Sequence, residues 1–111
     1  MNRSKIYWKL LLCSTFAWAA TAGAQQPDAK QALALVEKHG CASCHQPDQR
    51  ILGPSYQEIA AKYKGKPEVI KALTIKVIKG GSGVWGQIPM TPNEGIPETE
   101  LQTMLQWIMA Q

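Results

Sequence analysis

Four stretches of the chain place apolar side chains at helical spacing, and none shows the two-residue alternation of a half-buried strand. The first runs from about Asp28 to His39, with Ala29, Ala32, Leu33 and Val36 on one face and Gly40 as a stop signal. The second, from about Ser55 to Tyr63, opens with Ser55 and Glu58 in capping-box spacing and ends near Gly65. The third follows Pro67, a residue suited to a first helical position. It puts Ile70, Leu73 and Val77 on one stripe, with Lys71, Lys76 and Lys79 away from it, and stops at Gly80-Gly81. The last begins after Pro97 and stacks Leu101, Met104, Leu105 and Ile108, with Trp107 at the edge of the stripe. The pattern predicts an all-α fold of about four helices, without internal repeats.

Residues 1–24 read differently. Arg3, Lys5 and Lys9 give a basic start, Leu10 to Ala20 an apolar stretch, and Ala22-Gly23-Ala24 the small residues of a cleavage site. This is the pattern of an export signal, removed to leave one domain over residues 25–111, and it predicts a periplasmic protein. The apolar run is shorter than the roughly 20 residues a membrane span needs. Cys13 would be the lipidated residue of a lipoprotein, but Leu12 precedes it where a small residue is wanted. Export also changes the charge. The formal net charge is +4, from twelve Lys and Arg against eight Asp and Glu, and three of the basic residues lie in the leader, so the mature domain is near +1. That balance gives no argument for nucleic-acid binding.

A domain of this size, with short helices and no Phe once the leader and its Phe16 are removed, has a thin hydrophobic core. A large apolar cofactor would fill it, and the sequence carries a means of attaching one. Cys41-Ala42-Ser43-Cys44-His45 is the C-x-x-C-H pattern of c-type haem attachment. Two thiols three residues apart reach two vinyl groups on one porphyrin edge, and the adjacent imidazole falls beneath the iron as proximal ligand. Three alternatives carry less weight. A thioredoxin-like redox pair needs a βαβ context that the helical pattern lacks. A zinc site from His39, Cys41, Cys44 and His45 is too tightly strung for the usual two-pair spacing. A Cys41–Cys44 disulfide is possible in an oxidising compartment but leaves the adjacent histidine unexplained.

For a sixth iron ligand the candidates are Met90, Met104, Met109 and His39. Met104 lies on the apolar stripe of the last helix, where packing explains it. Met109 is near the chain end. His39 is tied to the proximal side by its closeness to Cys41 and reads as a surface residue at a helix end. Met90 is favoured. It sits in Gln87-Ile88-Pro89-Met90-Thr91-Pro92, where flanking prolines restrict the backbone, and a His/Met pair is the usual ligation in cytochromes c.

Taken together, CASCH, the LGPSY of residues 52–56, the GVWGQIPMTPN of residues 83–93 and a Trp-bearing last helix resemble the short-chain bacterial class I cytochromes c of the five-fifty-one group. The resemblance covers nearly all of the mature chain. It implies a class I cytochrome c fold around one haem c, in which the Pro54 carbonyl accepts a hydrogen bond from His45. It further implies that the Trp85 indole donates to a haem propionate and that Asn93 lies near the Met90 sulfur. Thr91 departs from the pattern, standing where many relatives have proline, and the Gly80-Gly81-Ser82-Gly83 stretch is compact.

An iron with both axial positions filled by protein leaves electron transfer rather than substrate chemistry, so the expected function is a monomeric electron carrier and not an enzyme. A haem-based ligand sensor, in which a weak sixth ligand leaves, is the alternative. For partners the resemblance implies a membrane quinol-oxidising complex as donor and a nitrite reductase, oxidase or peroxidase as acceptor. Lys62, Lys64, Lys66, Lys71, Lys76 and Lys79 outnumber Glu68 along one stretch, which offers a weak argument for a docking face.

Overall fold

The structure, a computed structural model, describes residues 27–111; the leader, Cys13 and the expected start at Gln25 lie outside the described residues. Four α-helices appear in order: α1 Ala29–Lys38, α2 Tyr56–Tyr63, α3 Val69–Lys79 and α4 Glu98–Met109, with a single 3₁₀ turn, Cys41–Ser43, after α1. Among the described residues there are no strands, only isolated antiparallel bridges between His45 and Arg50 and between Gly81 and Met90. The all-α expectation holds. No helix among the described residues is long and apolar enough to cross a membrane.

The helix ends follow local chemistry. Asp28 caps α1 by accepting a bond from the Lys30 N–H at 3.0 Å. At its other end Gly40 turns the chain with φ of 68°, a conformation that costs other residues energy, and starts the Cys41–Ser43 turn. The capping box of α2 is present in full: the Ser55 hydroxyl accepts from the Glu58 N–H at 3.1 Å, and the Glu58 carboxylate accepts from the Ser55 N–H at 2.8 Å. α3 begins two residues later than the sequence suggests. Pro67 lies in a preceding turn, where the N–H groups of Val69 and Ile70 reach back three residues to Lys66 and Pro67.

α4 is the centre of the packing, in contact with α1, α2 and α3. It buries Leu101, Met104, Trp107 and Ile108 against Ala32 and Val36 of α1 and Tyr56 of α2, and Leu105 is buried as well. Each such large apolar side chain is worth roughly 1.5–3 kcal/mol in burial. Trp107 is buried rather than at an edge, because its ring meets Tyr56 edge-on at 5.5 Å.

The first helix buries Ala32 and Val36 of its expected face, but Leu33 is exposed and Leu35 packs in its place. On α3 the buried residue is Thr74, whose hydroxyl is satisfied by the Ile70 carbonyl at 2.9 Å. The expected stripe of Ile70, Leu73 and Val77 is only half-buried, and Lys76 is half-buried with it. The reason is that this side of α3 faces a cavity, which Leu73, Lys76 and Val77 line.

Candidate functional site: a haem crevice

A cavity of about 650 Å³ opens between the Cys41–His45 turn, the 50–54 segment, α3, the 81–91 loop and α4. The site residues expected from the sequence, Cys41, Cys44, His45, Pro54, Trp85, Met90 and Asn93, all line it. Met104 and His39 line it as well, whereas Met109 does not.

On one wall the C-x-x-C-H segment is wound into a tight turn, in which the Cys44 and His45 N–H groups both bond to the Cys41 carbonyl, at 3.1 and 3.0 Å. Both thiols are free and half-buried, and burial, with the neighbouring Cys44, pushes the Cys41 thiol above its ordinary pKa. The His45 ring nitrogen Nδ1 is 2.7 Å from the Pro54 carbonyl oxygen. A carbonyl only accepts, so Nδ1 donates and Nε2 keeps its lone pair, the tautomer a metal-binding imidazole needs. The strap carrying Pro54 is drawn close by a bond from the Gly53 N–H to the Cys44 carbonyl at 2.8 Å. A side chain at Gly53 would put its Cβ 2.5 Å from Cε1 of His45, so glycine is required for this approach.

Tyr56 completes this wall. Its ring lies nearly parallel to the His45 ring at 6.1 Å, and its hydroxyl is buried without a hydrogen-bond partner. Burial, reinforced by Cys41, pushes the phenol up to about 12, so it stays neutral.

The opposite part of the lining comes from a loop. Gly81 and Met90 exchange backbone hydrogen bonds at 2.9 and 3.0 Å, closing the loop at its base, and the Gly83 N–H bonds to the Gly86 carbonyl near its tip. Gly80 allows the closure: its φ of 66° and ψ of −151° suit glycine alone, and a Cβ there would sit 2.3 Å from the Met90 carbonyl oxygen. Asn93 braces the exit, donating its side-chain amide to the Thr91 carbonyl at 2.7 Å and the Val77 carbonyl at 3.3 Å. Trp85 is half-buried, edge-on to Tyr63 at 6.5 Å, with Lys62 and Arg50 over its ring at 5.2 and 5.6 Å.

His39 departs from its expected place at the surface. Its side chain is 14% exposed and its Nε2 pairs with Glu100 of α4, which also accepts from Lys38 at 2.9 Å. These partners hold the Glu100 carboxyl below the usual range, the His39 bond contributing most. Tyr56, Gly53 and Arg50 were not singled out by sequence. The first two stood within LGPSY, and Arg50 had no motif at all.

The cavity suits a flat apolar group anchored at one edge. Ile51, Leu52, Val84 and Ile88 are 43–64% exposed around it, apolar surface with no protein cover. The unpaired Tyr56 hydroxyl adds a buried polar atom that protein alone leaves unsatisfied. Among the described residues no group of three or more His, Cys, Asp and Glu is placed to hold a metal ion, so a zinc cluster finds no support.

Comparison with known proteins agrees. The cytochrome c family profile matches residues 22–111. The chain belongs to the cytochrome c family. Cytochrome c-551 of Allochromatium vinosum is 41% identical over 91 residues, spanning 82% of this chain and 97% of that protein. Cytochrome c-551 of Azotobacter vinelandii is 43% identical over 75 residues, 68% of this chain and 90% of its own. Among solved structures, wild-type cytochrome c552 of Nitrosomonas europaea superposes with a TM-score of 0.67 at 38% identity, covering 70% of this chain and 96% of that one. These relatives are small electron-carrying class I cytochromes, and the chain shares their all-α fold. As a member of the family it carries haem c, with its iron, bound covalently; the motif Cys41-x-x-Cys44 supplies the thiols.

Proposed function

We propose that the chain is a periplasmic, non-enzymatic electron carrier in which His45 and Met90 would hold the haem iron. The observation that carries the reading is the 2.7 Å bond from His45 Nδ1 to the Pro54 carbonyl, which leaves Nε2 as the free ligand nitrogen. Met90 supports it as the methionine on the bridged, glycine-tightened loop lining the same cavity, whereas Met104 is buried in the α4 core at 3% exposure. When bound, the haem supplies one-electron chemistry at iron, with a potential raised by a thioether ligand.

The residues around it keep that chemistry to electron transfer. Cys41 and Cys44 would anchor one edge, and the Gly53–Pro54 strap orients the His45 ring through its Nδ1–H bond. The reciprocal Gly81–Met90 bonds fix the backbone that carries the thioether, so that ligation need not change with oxidation state. Trp85, on the cavity lining, would donate its indole N–H to a propionate, and Asn93 steadies the loop's exit. The leader over residues 1–24 would deliver the protein to the periplasm, where a quinol-oxidising complex would reduce it and a nitrite reductase, oxidase or peroxidase would oxidise it. The test is optical. The oxidised protein should show the far-red methionine-to-iron band, and carbon monoxide should leave the reduced spectrum unchanged. A reduced protein that binds carbon monoxide readily is instead the ligand sensor.

A further inference from the structure

Arg50 stands at the meeting point of the two halves of the crevice. Its backbone forms the antiparallel bridge with His45, so its position is tied to the proximal turn. Its side chain leaves that wall. The guanidinium Nε and Nη2 both donate to Oε1 of Glu58, at 3.0 and 2.9 Å, and this carboxylate is already fixed by the capping box of α2. Held there, the guanidinium reaches the other wall: Nη1 lies 3.5 Å from the Trp85 carbonyl oxygen and the Cζ is 5.6 Å from the centre of the Trp85 ring. Lys62 covers the same ring at 5.2 Å. The loop that holds Trp85 near its tip carries Met90 at its base, closed by the Gly81 bridge.

We propose that Arg50 is a positioning residue, a clasp that keeps the Met90 loop closed by pinning Trp85 to the His45 side of the crevice. This rests on the reading of Met90 as axial ligand. The planar fork matters more than the charge. Two donors are occupied by Glu58 while the Cζ of the same group lies over the indole ring, a division that a lysine ammonium cannot reproduce. Glu58 is held below the usual carboxylate range, first by the Ser55 backbone N–H and then by Arg50, so the anchor stays ionised at neutral pH. The clasp is a contact between segments 35 residues apart in sequence, and it spans the mouth of the cavity instead of filling the core.

Loop opening is read by a small exogenous ligand that competes with Met90. Imidazole is titrated into the oxidised holoprotein, and loss of the far-red methionine band is followed. Arg50→Gln should bind imidazole about fivefold more tightly than wild type, the scale expected for one cation–π contact with its partly exposed ion pair. Arg50→Lys should recover less than half of that difference. In a Trp85→Leu background, Arg50→Gln should have little further effect, because the clasp has nothing left to hold. If Trp85→Leu does not retain haem, Glu58→Gln serves as the background, since it unseats the same guanidinium without touching the ring. Unchanged imidazole affinity in Arg50→Gln overturns the clasp, as does an undiminished effect in the Trp85→Leu or Glu58→Gln background or full recovery by lysine. Absence of the far-red band from wild type would instead overturn Met90 ligation itself, so the two failures are distinguishable.

Discussion

The crevice wall built by α1, α2 and α4 packs on protein, whereas the wall built by residues 81–92 leaves most of its apolar side chains uncovered and meets other segments chiefly through Trp85. On the first side Ala32, Val36, Tyr56, Leu101, Met104 and Trp107 form a continuous buried cluster. On the second, Val84 and Ile88 are 55% and 64% exposed, and order comes from paired backbone bonds, glycine conformations and Asn93. The difference teaches that a bound haem would have two structural roles. It would complete the core on the helical side and supply the missing partner surface for the loop.

Removing the haem anchor breaks this comparison most severely. The double change Cys41→Ala with Cys44→Ala should abolish covalent haem and leave a largely unfolded chain, because the short-helix core alone does not offset backbone ordering. Haem-stained denaturing gels and far-ultraviolet circular dichroism check this, and native helicity without haem would show the helical wall to be self-sufficient. Next in size, Met104→Ala should destabilise by about 2–5 kcal/mol in denaturant titrations while the axial spectrum stays intact, since it opens a void on the packed side.

Smaller effects sharpen the loop's half of the comparison. Gly80→Ala should cost about 1–3 kcal/mol in backbone strain and weaken the far-red band, because its Cβ would press on the Met90 carbonyl. Gly83→Ala meets open space, so its effect on the band should be smaller despite a φ of 115°. The smallest effect concerns Glu100, which joins the C-terminus of α1 to α4 through His39 and Lys38. Its folded pKa is depressed, so its contribution is present above the unfolded carboxylate value, roughly pH 4.3, and is lost as pH falls through the lower folded value. The stability difference between wild type and Glu100→Gln should therefore shrink between about pH 5 and the acid limit of folding.

Legibility in the sequence divides along the same line. Features set by neighbours in the chain were readable: the capping box at Ser55, the helix stops at Gly40 and Gly80, the CASCH turn and the Pro-flanked Met90. Features set by contacts distant in sequence were not. The half-burial of the α3 stripe depends on how α4 and the cavity share that helix, which periodicity does not encode. His39 looked like a helix-end surface residue because its partner Glu100 lies 61 residues away. Arg50 reads as an ordinary loop cation until folding brings Trp85 beside it. Pro54 and Trp85 were named through family resemblance, and no spacing rule links either to its neighbours in space.

The account turns on Met90 holding the iron from the loop while Met104 serves the core. The most direct measurement is the far-red absorption of the oxidised holoprotein, compared between wild type and Met90→Ala at neutral pH together with the reduction potential. The band should be present in wild type and absent from Met90→Ala, with the potential lowered and carbon monoxide admitted to the reduced form, while covalent haem remains on Cys41 and Cys44. A Met90→Ala protein that keeps both the band and the wild-type potential would contradict the account and place the sixth ligand elsewhere.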